Sequence, residues 1–146
     1  MELELTVVQD DLRDTVHAVL AAECGPALVR EIVDARLAGD PDPPDRLWKQ
    51  MADLGWPALT IPEAFGGLGL GTVELAVVAE ELGRVMAPGP LLPTITQFVP
   101  ALLEAGSPAQ RDRFLRPVAE AGSTGTLAIA EANGGACTVR HIDGCD

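Results

Sequence analysis

Apolar residues recur every three or four positions along the first three quarters of the chain, which is the spacing of one face of an α-helix. Gly25 and Pro26 divide the first two stripes, and they predict the end of one helix and the first turn of the next. The residues of the two stripes are Leu12, Val16, Val19 and Leu20, followed by Val29, Ile32, Val33 and Leu37.

Proline and glycine mark the boundaries of the next elements. Residues 39–44 contain three prolines, which predict a linker. A short helix follows and is expected to end at Gly55. Residues 56–71 hold too much Gly and Pro for regular structure, and Thr72 is expected to cap another helix. The apolar faces of these two helices are predicted at Leu47, Met51 and Leu54, and at Leu75, Val78, Ala79 and Leu82.

Two more helices are predicted before residue 122. The first is expected over residues 94–105, with Pro100 as a kink or a late start. The second begins with a capping box, in which Ser107 and Gln110 are three residues apart and Pro108 occupies the first helical position. Pro117 is expected to break this helix.

The pattern changes after residue 122. Residues 126–130 predict a buried strand, a turn-forming Asn-Gly-Gly run follows, and residues 137–140 predict a second strand. One or two unpaired strands do not make a stable sheet. We therefore expect a mostly α protein, with a helical domain over 1–122 and the incomplete beginning of a β domain over 123–146.

Composition narrows the functional classes. The chain has 10 Lys+Arg against 22 Asp+Glu, a formal charge of −12, which disfavours binding to nucleic acids or to anionic membranes. Its longest apolar runs are far shorter than a membrane span, and its acidic N-terminus does not resemble a secretion signal. The three cysteines form no CxxC pair, which favours a reducing cytoplasm.

Four sequence features are weak candidates for a functional site. The glycine-rich run at 65–72 fits neither the GxGxxG nor the Walker A pattern, so tight-turn glycines are expected there. Cys137, His141 and Cys145 do not have the spacing of a zinc site. His17 has no nucleophile motif and is expected on the surface. The paired carboxylates, Glu80 and Glu81 among them, are expected on solvated helix faces, and we assign no catalytic residue and no metal site.

Five motifs in order resemble the N-terminal region of acyl-CoA dehydrogenases. They are LWxxMAxLGW at 47–56, IPExFGGLG at 61–69, ELAVVAEELGR at 74–84, AGSPAQRxRFLRP at 105–117 and TLAIAE at 126–131. The resemblance implies an N-terminal helical domain, a middle β domain and a C-terminal four-helix bundle.

The same resemblance implies FAD as the cofactor and an acyl-CoA thioester as the substrate. A glutamate removes the α-proton while the β-hydrogen leaves as hydride to the flavin, and the electrons pass to an electron-transferring flavoprotein. The family also implies a homo- or hetero-oligomer of acyl-CoA dehydrogenase subunits. The chain should then be an oxidoreductase of lipid metabolism.

The family's contacts that fall inside this chain lie on one segment. By resemblance, Leu127, Ile129 and Ala130 border the flavin, while Gly135 and Ala136 close a turn near the flavin and the thioester. We take the first three and Gly135 as cofactor-binding residues and Ala136 as substrate-binding. A backbone N–H at such a turn can bind a flavin carbonyl or phosphate whatever the side chain.

The segment also departs from the family pattern. Ala130 replaces the usual Thr, Ala132 the usual Pro and Ala136 the usual Ser, so two hydroxyl groups are absent. The family's catalytic glutamate has no counterpart here, because Glu131 matches a structural position.

Three interpretations remain open. The chain is the front part of a dehydrogenase, or a non-catalytic subunit that pairs with a catalytic partner, or an unrelated helical interaction module. The missing hydroxyl groups favour the second and the end of the chain within a predicted β domain favours the first. The third would require the ordered motifs to be coincidental.

Overall fold

The computed structural model describes residues 4–39 and 46–128, and this part of the chain is mainly helical. We number its α-helices in chain order. They are α1 (Val7–Glu23), α2 (Pro26–Leu37), α3 (Arg46–Asp53), α4 (Thr72–Arg84), α5 (Leu91–Pro93), α6 (Val99–Ala105) and α7 (Pro108–Ala119).

Helices α1 and α4 pack along each other and form the centre of the larger core cluster. Fully buried Leu and Ile side chains of this kind each contribute about 1.5–3 kcal/mol. A smaller cluster lies between the loop after α3, helix α6 and helix α7. The buried residues of the larger cluster include Val16, Leu20, Leu47, Met51, Trp56, Val78, Leu82 and Ile95, and those of the smaller cluster are Ile61, Val99, Leu115 and Val118.

The predicted helix boundaries are confirmed at three places. Pro26 occupies the first turn of α2, and Gly55 adopts a left-handed φ of 73° just after α3. At α7 the Ser107 N–H donates to Gln110 Oε1 at 2.8 Å, and the Gln110 N–H donates to Ser107 Oγ at 3.3 Å. These two reciprocal hydrogen bonds satisfy backbone N–H groups that the start of a helix leaves unpaired.

The helix predicted over 94–105 is longer and contains a wider turn. Helix α5, a π-helical turn over Thr94–Phe98 and helix α6 follow one another without a break. Within this turn the Val99 N–H donates to the Thr94 carbonyl, five residues earlier. Pro100 has no N–H and its ring would clash with the Thr96 carbonyl in a regular α-helix, so the wider turn removes that clash.

Helix α7 corrects the prediction that Pro117 breaks it. Pro117 lies inside the helix, which continues to Ala119. The proline removes only one hydrogen bond in the last turn. The chain then closes with a Schellman motif, in which Ala121 has a φ of 56°, its N–H donates to the Val118 carbonyl, and the Gly122 N–H donates to the Pro117 carbonyl.

The predicted N-cap of α4 was wrong by one position, and three residues predicted on apolar helix faces are exposed. Gly71, rather than Thr72, is the N-cap of α4. Val33, Leu54 and Leu37 were predicted on apolar faces, but they are 49%, 43% and 82% exposed. Helical periodicity predicts which side is apolar, but not whether another element covers all of it.

Residues 123–128 follow α7 without regular secondary structure, so no strand occurs in this part of the described chain. The remainder of the strand predicted at 126–130, the strand predicted at 137–140 and the linker at 40–44 lie outside the described residues.

Candidate functional site

A buried threonine fixes the segment after α7 against the π-helical turn. Thr94 is fully buried, and its hydroxyl oxygen lies 2.7 Å from the Pro90 carbonyl and 3.2 Å from both the N and the carbonyl O of Gly125. A Cβ on Gly125 would overlap the Phe98 ring. Glycine at this position therefore allows the segment to lie directly on the helix.

The segment continues along an apolar groove, which we call the exit groove. Phe98, Ala101 and Leu102 line it from the helix, and Leu127 lines it from the segment, with 41% of its surface exposed. The groove encloses about 320 Å³. Its walls suit a hydrocarbon chain or the edge of a flat ring, because such pockets bind mainly by apolar contact.

Leu127 is the only residue of the predicted cofactor and substrate set that falls within the described ranges. The structure places it on the exit groove, next to the helical domain. Ile129, Ala130, Gly135 and Ala136 lie outside the described residues, as do Cys137, His141 and Cys145.

The glycine-rich loop does not form a phosphate cradle. The N–H groups of its glycines and leucines donate to carbonyl groups of the preceding turns, including Leu68 to Ala58, Gly69 to Ile61 and Leu70 to Leu59. Phosphate-binding loops instead leave such N–H groups free for the ligand. The prediction of tight-turn glycines at 65–72 is confirmed.

The N-terminus of α4 is capped by the side chain of Glu74, a residue of the same helix. Glu74 Oε2 accepts the Gly71 N–H at 3.0 Å, and Glu74 Oε1 accepts a hydrogen bond from Gln9 Nε2 at 2.8 Å. These hydrogen bonds, led by that from Gln9, hold the pKa of Glu74 below its ordinary value. The carboxylate thus fills the place that an anion would take at this helix end.

Glu81 corrects the expectation of a solvated carboxylate. It is only 7% exposed, and its Oε2 lies 2.9 Å from Arg84 Nε and 3.0 Å from His17 Nδ1. Burial alone raises the pKa of Glu81, but the hydrogen bonds and charges of Arg84 and His17 outweigh it, so the pKa lies below its ordinary value. An ionised carboxylate that pairs with an arginine and a histidine is a structural tie between α1 and α4 and a poor general base.

Sequence reasoning missed this cluster because its members are 64 residues apart in the chain. His17 was expected on the surface, and its side chain is indeed 52% exposed. The only sequence signal was the position of Glu81 next to Leu82 on the buried side of α4. No group of three or more metal-ligating side chains occurs within the described ranges.

Among the described helices, none is both long enough and apolar enough to span a bilayer.

Comparison with known proteins supports the resemblance found in the sequence. Residues 6–122 match the family described as acyl-CoA dehydrogenase, N-terminal domain. The chain is 38% identical over 117 residues to the acyl-CoA dehydrogenase IpdE2 of Mycolicibacterium smegmatis, which covers 80% of this chain and 35% of that protein. The chain therefore spans about a third of the length of this relative.

Two solved structures share the fold. The ChsE4-ChsE5 complex from Mycobacterium tuberculosis gives a TM-score of 0.63 at 24% identity, over 83% of this chain and 30% of that one. The acyl-CoA dehydrogenase from Bacillus anthracis complexed with FAD gives 0.66 at 21% identity, over 83% of this chain and 20% of that one. The helical arrangement, the matched residues and the relative at 38% identity together show that this chain belongs to the acyl-CoA dehydrogenase family.

Proposed function

We propose that the chain supplies the N-terminal helical domain of an FAD-dependent acyl-CoA dehydrogenase. In this proposal residues 1–122 are the helical domain and residues 123–146 begin the β domain. The match of residues 6–122 to the family supports this division. The reaction is α,β-dehydrogenation of an acyl-CoA thioester, with the catalytic glutamate contributed from outside this chain. FAD supplies the hydride acceptor when it is bound.

The anchored exit segment is the observation that carries the proposal. The Thr94–Gly125 contact holds Leu127 on the wall of an apolar groove, where it can touch an acyl chain or the edge of the flavin. By resemblance, Ile129, Ala130 and Gly135 would continue the flavin contacts and Ala136 those to the substrate.

The described residues fit one part of FAD better than another. The exit groove offers apolar walls to a ring edge, whereas the glycine-rich loop has already used its N–H groups within the protein. The pyrophosphate of FAD would therefore need donors from residues beyond these. We accordingly expect the isolated 146-residue chain to be colourless and inactive toward acyl-CoAs.

The proposed partners follow from the same function. They are the acyl-CoA substrate, an electron-transferring flavoprotein and further acyl-CoA dehydrogenase subunits, and the proposed location is the cytoplasm. The buried, unbridged thiol of Cys24 is consistent with a reducing compartment.

A second candidate function is a non-catalytic subunit that completes the site of a catalytic partner. The similarity to the ChsE4-ChsE5 complex favours this candidate, since that structure is an assembly of two named components. The alanines at 130 and 136 favour it as well, because they remove two hydroxyl groups that the family's site usually contains.

The decisive experiment is purification from the native source, followed by intact mass, visible absorbance and titration with acyl-CoAs. For the dehydrogenase we expect a polypeptide of more than twice 15.3 kDa whose bound flavin bleaches when an acyl-CoA is added. A polypeptide of 15.3 kDa that co-purifies with a larger flavin-bearing subunit would favour the non-catalytic subunit. A preparation that has neither flavin nor such a partner would contradict both functions.

A matched pair of variants tests the exit groove in the same preparation. Leu127→Asp places a charge in the groove and should abolish acyl-CoA-dependent bleaching. Leu37→Asp changes a leucine that is 82% exposed on α2 and should leave bleaching intact. Equal activity in the two variants would show that Leu127 does not border the reacting groups.

A further inference from the structure

A second cavity lies on another part of the surface, where α1 ends, α2 begins and α4 ends. It encloses about 240 Å³ and shares no lining residue with the exit groove. Its apolar wall is formed by Val29, Val85 and Met86. We call it the arginine cavity, because Arg30 and Arg84 also line it.

The two arginines leave guanidinium N–H donors unused at this cavity. Arg84 donates to Glu81 through Nε, and its Nη groups have no partner among the described residues. Arg30 is exposed and forms no ion pair within the described ranges. Glu81 balances the charge of Arg84, so Arg30 supplies the net positive charge among the side chains that line the cavity.

The N-terminal end of α2, which lies at the cavity, also carries partial positive charge. Helix α2 begins at Pro26, which lines the cavity, and its N-cap Gly25 has no side chain to accept a hydrogen bond. Its first turn contains no acidic residue. The positive end of the helix dipole is therefore not compensated from within the helix, in contrast to α4, where Glu74 fills this place.

The buried thiol of Cys24 and the exposed side chain of Met86 also line the cavity. Cys24 is 3% exposed and lines the cavity, and its thiol is free with no hydrogen-bond partner among the described residues. Met86 is 74% exposed and has a φ of 52°, a conformation in which glycine is usual at a helix end. A glycine would have no side chain here, whereas Met86 places a large apolar side chain at the mouth of the cavity.

We propose that the arginine cavity binds a small organic anion with an apolar tail, with its carboxylate between Arg30 and Arg84 and its tail against Val85 and Met86. Guanidinium groups bind carboxylates through paired, charge-assisted hydrogen bonds. The volume of about 240 Å³ limits the tail to a short aliphatic chain. The site is separate from the exit groove and does not depend on bound flavin.

Methionine-methyl NMR of the full chain tests this proposal with an internal control. Titration with octanoate should shift the Met86 methyl signal to saturation. The Met51 methyl signal should not move, because Met51 is buried in the larger core cluster. Octan-1-ol, which has the tail without the charge, and acetate, which has the charge without the tail, should each bind at least about tenfold more weakly.

Variants of two exposed arginines provide the second comparison. Arg30→Gln should weaken octanoate binding at least about tenfold. Arg13→Gln, on an exposed face of α1 where Arg13 pairs with Asp10, should leave it unchanged. The proposal is overturned if Met86 shows no saturable shift, if octan-1-ol or acetate binds as well as octanoate, or if Arg30→Gln binds octanoate like the unmodified chain.

Discussion

Gly67 shows how strongly a single position in the glycine-rich loop is constrained. A Cβ there would overlap the backbone carbonyl of Ile61, and Ile61 is fully buried. The neighbouring Gly66 has a different requirement, since its φ of 81° favours glycine. The two adjacent glycines are thus needed for two separate reasons, close packing and backbone conformation.

Replacing Gly67 should destabilise the fold. We expect Gly67→Ala to cost about 1–3 kcal/mol of unfolding free energy, and Gly67→Val more, because backbone must move to admit the side chain. Urea denaturation measures this change. The control is Gly83→Ala in α4, where a Cβ meets nothing within 4 Å and should stabilise the helix by about 0.5–1 kcal/mol. Equal midpoints for the two variants would contradict the packing argument.

Glu81 should contribute a pH-dependent stability. Its pKa is lowered in the folded state, so the carboxylate stabilises the fold above the unfolded pKa, and this stability is lost as the pH falls through the folded value. We expect Glu81→Gln to cost about 1–3 kcal/mol at neutral pH, because Arg84 and His17 lose a charged partner.

The comparison of acid limbs isolates this contribution. As the pH falls below about 4.3, the unmodified chain should lose stability more steeply than Glu81→Gln. Glu80→Gln, on the exposed side of the same helix, serves as the control and should retain the steep acid limb. Parallel pH profiles for the unmodified chain and Glu81→Gln would show that the ion pair contributes nothing.

At the scale of elements, a single hydroxyl connects the helical domain to the segment after α7. Thr94→Val keeps the shape of the side chain but removes the acceptor of the Gly125 N–H. We expect a loss of about 1–3 kcal/mol and much faster hydrogen exchange at the Gly125 amide. Thr96→Val is the matched control, since its exposed hydroxyl only donates to the Leu92 carbonyl of its own helix. Unchanged Gly125 exchange in Thr94→Val would contradict the anchoring role.

The sequence predicted where helices begin and end better than it predicted how the helices pack together. Caps and stops such as Ser107, Pro26 and Gly55 act through neighbouring residues, so a local pattern reveals them. Pro117 was misjudged because the cost of a proline depends on how many turns follow it. The helical turn at Leu91–Pro93 was not predicted, because Pro88, Pro90 and Pro93 precede Thr94 and proline disfavours a helix interior.

The difference between local patterns and long-range packing also explains which candidate sites could be predicted from the sequence. Leu127 came from an ordered set of motifs, and the structure places it on an apolar groove. Glu81 and the arginine cavity could not be predicted, since each brings together residues of helices that are distant in sequence. Periodicity describes one helix at a time, whereas buried charge pairs are properties of two packed helices.

For the whole molecule, the charge of −12 on 146 residues should oppose folding through self-repulsion. The compact state brings these charges closer together than the unfolded chain does. Salt should therefore stabilise the protein, since the screening length falls to about 8 Å at physiological ionic strength. We expect the thermal midpoint to rise when NaCl is raised from about 10 mM to about 150 mM, before apolar salting-out becomes important.

Charge variants separate self-repulsion from a general effect of salt. Glu80→Lys and Asp53→Lys each change the net charge by two units at exposed positions. Glu80→Lys should raise the midpoint at low salt and reduce its rise with NaCl. Asp53→Lys removes the ion pair with Lys49 as well, so its gain should be smaller. If both variants kept the salt response of the unmodified chain, repulsion between the net charges would not be the interaction that salt screens.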